Sequence, residues 1–164
     1  MKNLFLFLAL LVLSVNTFGQ ENETVQDSTK VEKLDEVLVK AVRVESNSPI
    51  THSNIKKEDI QKRNLGQDIP VLLNYLPSVI SSSDAGAGIG YTYLRVRGSD
   101  ATRVNVTING IPYNDSESQG TFWVNIGDFA SSVESMQLQR GVGTSTNGSG
   151  AFGASLNILT DAVQ

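Results

Sequence analysis

The chain has 164 residues, 40% of them hydrophobic, with a formal net charge of −4. That length gives room for one domain, and an acidic balance without a basic stripe argues against a nucleic-acid binder. There are no cysteines, which excludes disulfides, thiolate metal sites and a lipid-modified N-terminal cysteine.

At the N-terminus, Lys2 precedes an apolar run over residues 4–13, and Thr17-Phe18-Gly19 supplies small residues on either side of Phe18 for a cleavage site. The run is shorter than the ~20 apolar residues that a membrane-spanning helix needs. Residues 1–19 therefore read as a secretory signal peptide, with Gln20 as the N-terminus after export. Residues 20–33 are polar and charge-rich and read as a flexible leader.

The stretch Leu34-Asp35-Glu36-Val37-Leu38-Val39-Lys40-Ala41-Val42-Arg43-Val44 is β-prone. It suits a portable strand that adds to the sheet edge of a partner, and it equally suits a first strand of this domain. Residues 45–53 read as a linker broken by Pro49. A short amphipathic turn is predicted over residues 57–63. Ile69, Leu72, Leu73 and Leu76 then share one helical face, with Pro70 in the first turn and Pro77 as the stop.

After residue 81 the period changes to two. Leu94 and Val96 alternate with Tyr93, Arg95 and Arg97, and Val104, Val106 and Ile108 point together. Asn109-Gly110 is the dipeptide preferred in a type I′ hairpin turn. Over residues 133–139, Val133, Ser135, Gln137 and Gln139 are set opposite Glu134, Met136 and Leu138, a strand only partly amphipathic. A last strand is predicted over 155–160, with Leu156, Ile158 and Thr160 opposite Asn157 and Leu159. Most of the 14 glycines fall between Gly86 and Gly153, so the loops of this half are long. Helical patterns early and strands late predict an α+β fold: a small mixed β-sheet with short helices and long glycine-rich loops.

Chemical motifs are weak. Gly148-Ser149-Gly150-Ala151-Phe152-Gly153 matches a dinucleotide-binding pattern literally, but a strand-like segment follows it instead of a helix. A turn that needs glycine for backbone freedom explains it better. His52, the one histidine, lies in a polar linker and supports no triad. No metal-ligand spacing occurs. Asn114-Asp115-Ser116-Glu117-Ser118 is rich in oxygen ligands but lacks the order of a calcium loop. Phe122 and Trp123 after it suit core packing, or contact with a ligand. No catalytic residue, metal or cofactor is expected.

Several motifs together carry a family resemblance. Residues 34–41 resemble the TonB box of TonB-dependent outer-membrane receptors. Asp68-Ile69-Pro70-Val71-Leu72-Leu73-Asn74-Tyr75-Leu76-Pro77-Ser78-Val79 is similar to the plug helix that ends in Pro-Gly-Val. Arg95-Val96-Arg97-Gly98 resembles the family's Arg-Gly strand, and Asn109-Gly110-Ile111-Pro112-Tyr113-Asn114-Asp115 its Asp-Gly-Val-Pro hairpin. Residues 133–141 and 148–160 resemble its closing strands. Each motif alone is unspecific; their order is specific. Lys40, Ser78 and Val142 depart from the residues common at those places, which are threonine, glycine and proline.

The resemblance implies a plug domain over residues 54–164 that gates a transmembrane β-barrel. It implies no enzyme activity. The expected partners are the barrel in cis, the inner-membrane TonB energy-coupling protein gripping Leu34, Asp35, Glu36, Val37, Leu38, Val39, Lys40 and Ala41, and an external small-molecule or metal-chelate substrate, with an iron-siderophore complex the first expectation. Ser82, Ser83, Asp84, Tyr91, Asn114, Asp115, Glu117, Phe122 and Trp123 are expected on substrate-facing loops. Arg95, Arg97, Arg103 and Arg140 are expected at the interface with the barrel, whose lumen is polar. The expected location is the cell outer membrane. A barrel of the plugged class has about 22 strands of ~9–11 residues, and no such segment follows here. The chain is accordingly expected to be an N-terminal fragment or a truncated gene product, periplasmic if it ends at residue 164. The alternative is a soluble exported binding or interaction module acting without a barrel.

Overall fold

The structure is a computed structural model that describes residues 42–148 and 150–161. Residues 1–19, expected to be a signal peptide, residues 20–33, expected to be a leader, and residues 34–41 lie outside the described residues. Its strands are β1 (His52–Lys56), β2 (Val79–Ser83), β3 (Thr92–Val96), β4 (Val104–Ile108), β5 (Ile111–Pro112), β6 (Val133–Arg140) and β7 (Ala154–Thr160); its α-helices are α1 (Lys57–Arg63) and α2 (Ile69–Leu72).

Five strands form one mixed sheet in the order β1-β6-β7-β4-β5, and β2 and β3 form a separate hairpin. Among the described residues only the β4–β7 pair is parallel; β6 is antiparallel to both β1 and β7. This is the α+β arrangement that the order of patterns predicts. The β4–β5 hairpin closes through Asn109 and Gly110, at φ 51° and 80°, as a type I′ turn requires.

Register sorts the sheet into two faces. Ile55, Met136, Ile158 and Ile108 are aligned across four strands, and Leu138, Leu156 and Val106 form the next row. These residues face α1, α2 and the β2–β3 hairpin and build the core with Ile60, Ile69, Leu72, Leu73, Leu94 and Val96. Burying one such side chain contributes roughly 1.5–3 kcal/mol before entropy is subtracted. The opposite face carries Asn54, Gln137, Asn157 and Thr107 in one row, and His52, Gln139, Ser155 and Asn105 in the next.

The sequence reading and the structure differ in four places. First, β6 contains a bulge between Val133 and Ser135. One extra residue, Glu134, shifts the alternation, so Val133 joins the core with Met136 and Leu138 although its parity is opposite. Second, the helix predicted through Ile69, Leu72, Leu73 and Leu76 keeps α geometry only over Ile69–Leu72. It then tightens, with the Leu76 amide donating to the Leu73 carbonyl at 3.0 Å. All four apolar residues of the predicted face are still buried. Third, the linker expected over residues 45–53 gives up His52 and Ser53 to β1, because the Gln139 and Leu138 backbones offer them ladder partners. Fourth, Gly153 is required for close approach instead of backbone freedom. A Cβ there would lie 2.5 Å from the Ser99 Cβ and 3.0 Å from the Arg103 carbonyl oxygen.

Candidate ligand cleft and the segment behind it

A cleft of about 640 Å³ opens between β3, the 3-10 turn Ala101–Arg103 and residues 118–123. The period-two face of β3 supplies it: Tyr93 and Arg95 point outward while Leu94 and Val96 are buried behind them. Tyr91 and Thr92 continue that wall, and Ser82 and Asp84 join it from the paired strand β2 and its loop. Thr102, Thr121, Phe122 and Trp123 form the facing wall.

Charge in the cleft is mixed and largely engaged. The Tyr93 hydroxyl donates to Asp84 Oδ2 at 3.1 Å. That bond favours the neutral phenol and raises the Tyr93 pKa above its ordinary value. Asp100 accepts from the Thr102 hydroxyl and amide. Those bonds hold its carboxyl below the usual carboxylate range, with Arg103 and Arg95 adding to the effect. Arg95 has no hydrogen-bonded acidic partner among the described residues.

The cleft gathers some of the residues expected on substrate loops and not others. Ser82, Asp84, Tyr91, Phe122 and Trp123 line it. Trp123 is only 2% exposed and belongs mainly to the core. Ser83, Asn114, Asp115 and Glu117 do not line it. Asn114 is a structural staple: its Oδ1 accepts from the Val106 amide at 2.7 Å, and its Nδ2 donates to the Val104 and Gln119 carbonyls. Asp115 closes the loop on itself, accepting from the Ser118 amide at 2.7 Å, the Ser118 hydroxyl at 2.8 Å and the Glu117 amide at 3.2 Å. The bonds from Ser118 lead in holding its carboxyl below the usual range. Tyr93 is a cleft residue that sequence reasoning left unassigned, although it shares parity with Tyr91 and Arg95.

Among the four arginines expected at a barrel wall, Arg95, Arg97 and Arg103 are exposed. Arg97 sits with Gly98 in a tight turn, both at positive φ, and Arg103 lies over the Phe152 ring at 5.7 Å. Arg140 is placed differently from these three. It is 7% exposed, and it donates from Nε to the Pro77 carbonyl at 3.0 Å and from Nη2 to Ser53 Oγ at 2.6 Å. Burial, with Arg97 nearby, lowers its pKa from the ordinary guanidinium value. Its parity with Met136 and Leu138, beyond the bulge, turns it inward, where it ties β6 to β1 and to Pro77 just before β2.

Across the sheet's polar face lies the segment 42–44. Val42 and Val44 are buried, and the Arg43 guanidinium donates to Ser135 Oγ at 2.9 Å and to the Ser135 carbonyl at 3.0 Å. Burial lowers the Arg43 pKa, and Glu134 partly opposes that.

Among the described residues, no group of three or more histidines, cysteines and carboxylates could hold a metal ion, and no helix is long and apolar enough to cross a membrane.

Comparison with known proteins connects this geometry to a family. The sequence model of the TonB-dependent Receptor Plug Domain matches residues 44–155. The protein described as "Probable TonB-dependent siderophore receptor PirA" of Acinetobacter baumannii is 26% identical over 158 residues, covering 90% of this chain and 21% of that protein. The crystal structure of the siderophore receptor PirA from the same species aligns with TM-score 0.53 at 25% identity, over 69% of this chain and 17% of the other. A mutant of the ferric enterobactin receptor PfeA from Pseudomonas aeruginosa aligns with TM-score 0.54 at 23% identity, over 77% and 19%, and shows likeness of fold alone. The chain thus spans about a fifth of the length of the curated relative.

Proposed function

This chain belongs to the TonB-dependent receptor plug-domain family, and from that premise we propose that it gates a β-barrel transporter of the outer membrane and couples binding of an external metal chelate to uptake. The observation that carries the reading is the family match over nearly all the described residues, on a fold whose cleft presents Tyr91, Tyr93, Phe122 and Arg95.

Aromatic faces beside one guanidinium suit a flat, negatively charged chelate, and the similarity to proteins described as siderophore receptors supports a siderophore complex as the substrate class. Asp84 and Asp100 are held in place by the bonds they accept from Tyr93 and Thr102, so Arg95 is the charged group of the cleft left to meet such a ligand. Exposed Arg95, Arg97 and Arg103 sit at no membrane cost inside a polar barrel lumen. Residues 34–41 act as the segment gripped by the energised inner-membrane partner, through strand addition. The reading needs no covalent step, so no enzyme activity is assigned.

The test is equilibrium binding of a panel of ferric siderophores to a receptor that carries this plug ahead of a barrel. Tyr93→Ala and Arg95→Ala should each weaken the best-bound chelate about 10-fold, worth about 1.4 kcal/mol. Unchanged affinity in both variants would remove the cleft from the substrate path.

A further inference from the structure

Gln137 and Gln139 occupy the middle of the central strand β6 and are 2% and 0% exposed. Core packing alone would place aliphatic residues there, because a buried amide needs both its donor and its acceptor satisfied. Gln137 Nε2 donates to Asn54 Oδ1 at 2.7 Å and Gln139 Nε2 to Gln137 Oε1 at 3.0 Å, and the backbone of residues 42–44 supplies further partners. Gln137 Oε1 accepts from the Val44 amide at 2.7 Å, and its Nε2 donates to the Val44 carbonyl at 2.9 Å. Gln139 Nε2 donates to the Val42 carbonyl at 2.8 Å, and Asn157 Nδ2 reaches the same oxygen at 3.3 Å.

A carboxamide presents a donor and an acceptor side by side, as the N–H and C=O of a single residue do on a strand edge. Gln137 therefore imitates a neighbouring strand, and it holds the segment without a backbone ladder. Gln139 extends the set: its Oε1 accepts from Asn147 Nδ2 at 2.9 Å, which links the segment to the glycine-rich loop after β6. When residues 42–44 leave, Val42 and Val44 lose their burial, but the strand face that is uncovered is polar and water can satisfy its amides. Detachment of an apolar strap would instead expose core.

We propose that Gln137, Gln139 and Asn157 form a carboxamide latch that holds residues 42–44 as a separately releasable strap. The strap opens while the core of β6 and β7 stays folded. Its use in transport rests on the reading of residues 34–41 as the coupling segment, because tension on that segment reaches residues 42–44 first. The latch itself does not depend on that reading.

Native-state hydrogen exchange on the 164-residue chain tests it without any partner. The Val44 amide should exchange at least 10-fold faster than the Leu138 and Leu156 amides, with a rate insensitive to low denaturant, as a local opening requires. Gln137→Met should speed Val44 exchange a further 10-fold while leaving the Asn147 amide within about 2-fold, and Gln139→Met should speed both. Should the variants fold poorly, the denaturant series on the unaltered chain decides. A Val44 amide that exchanges at the Leu156 rate, with the same denaturant dependence, would make the strap part of the core and overturn the proposal. That outcome would leave the assignment of residues 34–41 untouched.

Discussion

Gly153 lies so close to Ser99 that a Cβ on the glycine would sit 2.5 Å from the serine Cβ and 2.8 Å from its hydroxyl. The contact is fixed from both sides. The Gly153 amide donates to the Arg103 carbonyl at 2.8 Å, and the Gly153 carbonyl accepts from the Gly141 amide at 2.8 Å. Gly153→Ala should therefore destabilise the domain by about 1–3 kcal/mol, the usual cost of overpacking. Gly150, three residues earlier in the same motif, has nothing within 4 Å of its added Cβ. Gly150→Ala should stay within about 0.5 kcal/mol. Denaturant midpoints of the two variants separate a steric requirement at 153 from a general need for glycine in the loop.

Ser78 adopts φ 64°, in the left-handed region that favours glycine, where the turn after Pro77 leads into β2. Its carbonyl is held by the Arg97 amide at 2.9 Å, so the conformation is tied to the facing turn. Ser78→Gly should stabilise by about 0.5–1 kcal/mol, the relief of left-handed strain less the extra unfolded-state entropy of glycine. Thermal unfolding should show the rise. A fall would mean that the serine side chain contributes more than its backbone costs.

Asn114 and Glu117 lie in the same polar loop yet should behave differently. Asn114→Ala leaves the Val106 amide and the Val104 carbonyl without partners and should cost about 2 kcal/mol. Glu117→Ala, at an exposed position, should change stability by less than about 0.5 kcal/mol. Neither should alter chelate affinity once the protein is folded, since neither side chain lines the cleft. Lost affinity in a folded Asn114→Ala variant would return that residue to the binding site.

Much of the architecture was legible because periodicity reports burial directly. The alternation of β3 and β4, the apolar face through Ile69 and Leu76, and the Asn109-Gly110 turn all follow from short-range rules. What escaped was set by long-range pairing. The bulge at Glu134 cannot be read from β6 alone, since it is defined against Thr160 and Leu159 on β7. Once the phase shift is known, Arg140 falls on the inward side with Leu138. The strand at His52 was hidden because an edge strand with one buried residue, Ile55, has almost no apolar signal. The cleft was half legible: the parity of Tyr91, Tyr93 and Arg95 shows one wall, but the approach of residues 118–123 depends on tertiary folding. Gln137 and Gln139 made their strand look only partly amphipathic, and with Asn157 they read as a solvent-facing set. They are in fact buried on a second, hydrogen-bonded face.

The central claim is that this plug couples binding to energised uptake through residues 34–41. The most direct measurement compares binding and uptake of the same radiolabelled ferric siderophore by a receptor carrying this plug, in cells with and without the energy-coupling protein, for the unaltered receptor and Val37→Pro. Proline removes a backbone donor and blocks strand addition at that position. The account predicts that Val37→Pro binds the chelate as tightly as the parent, while its uptake falls to the level seen without the coupling protein. Uptake by Val37→Pro at the parent rate would contradict it.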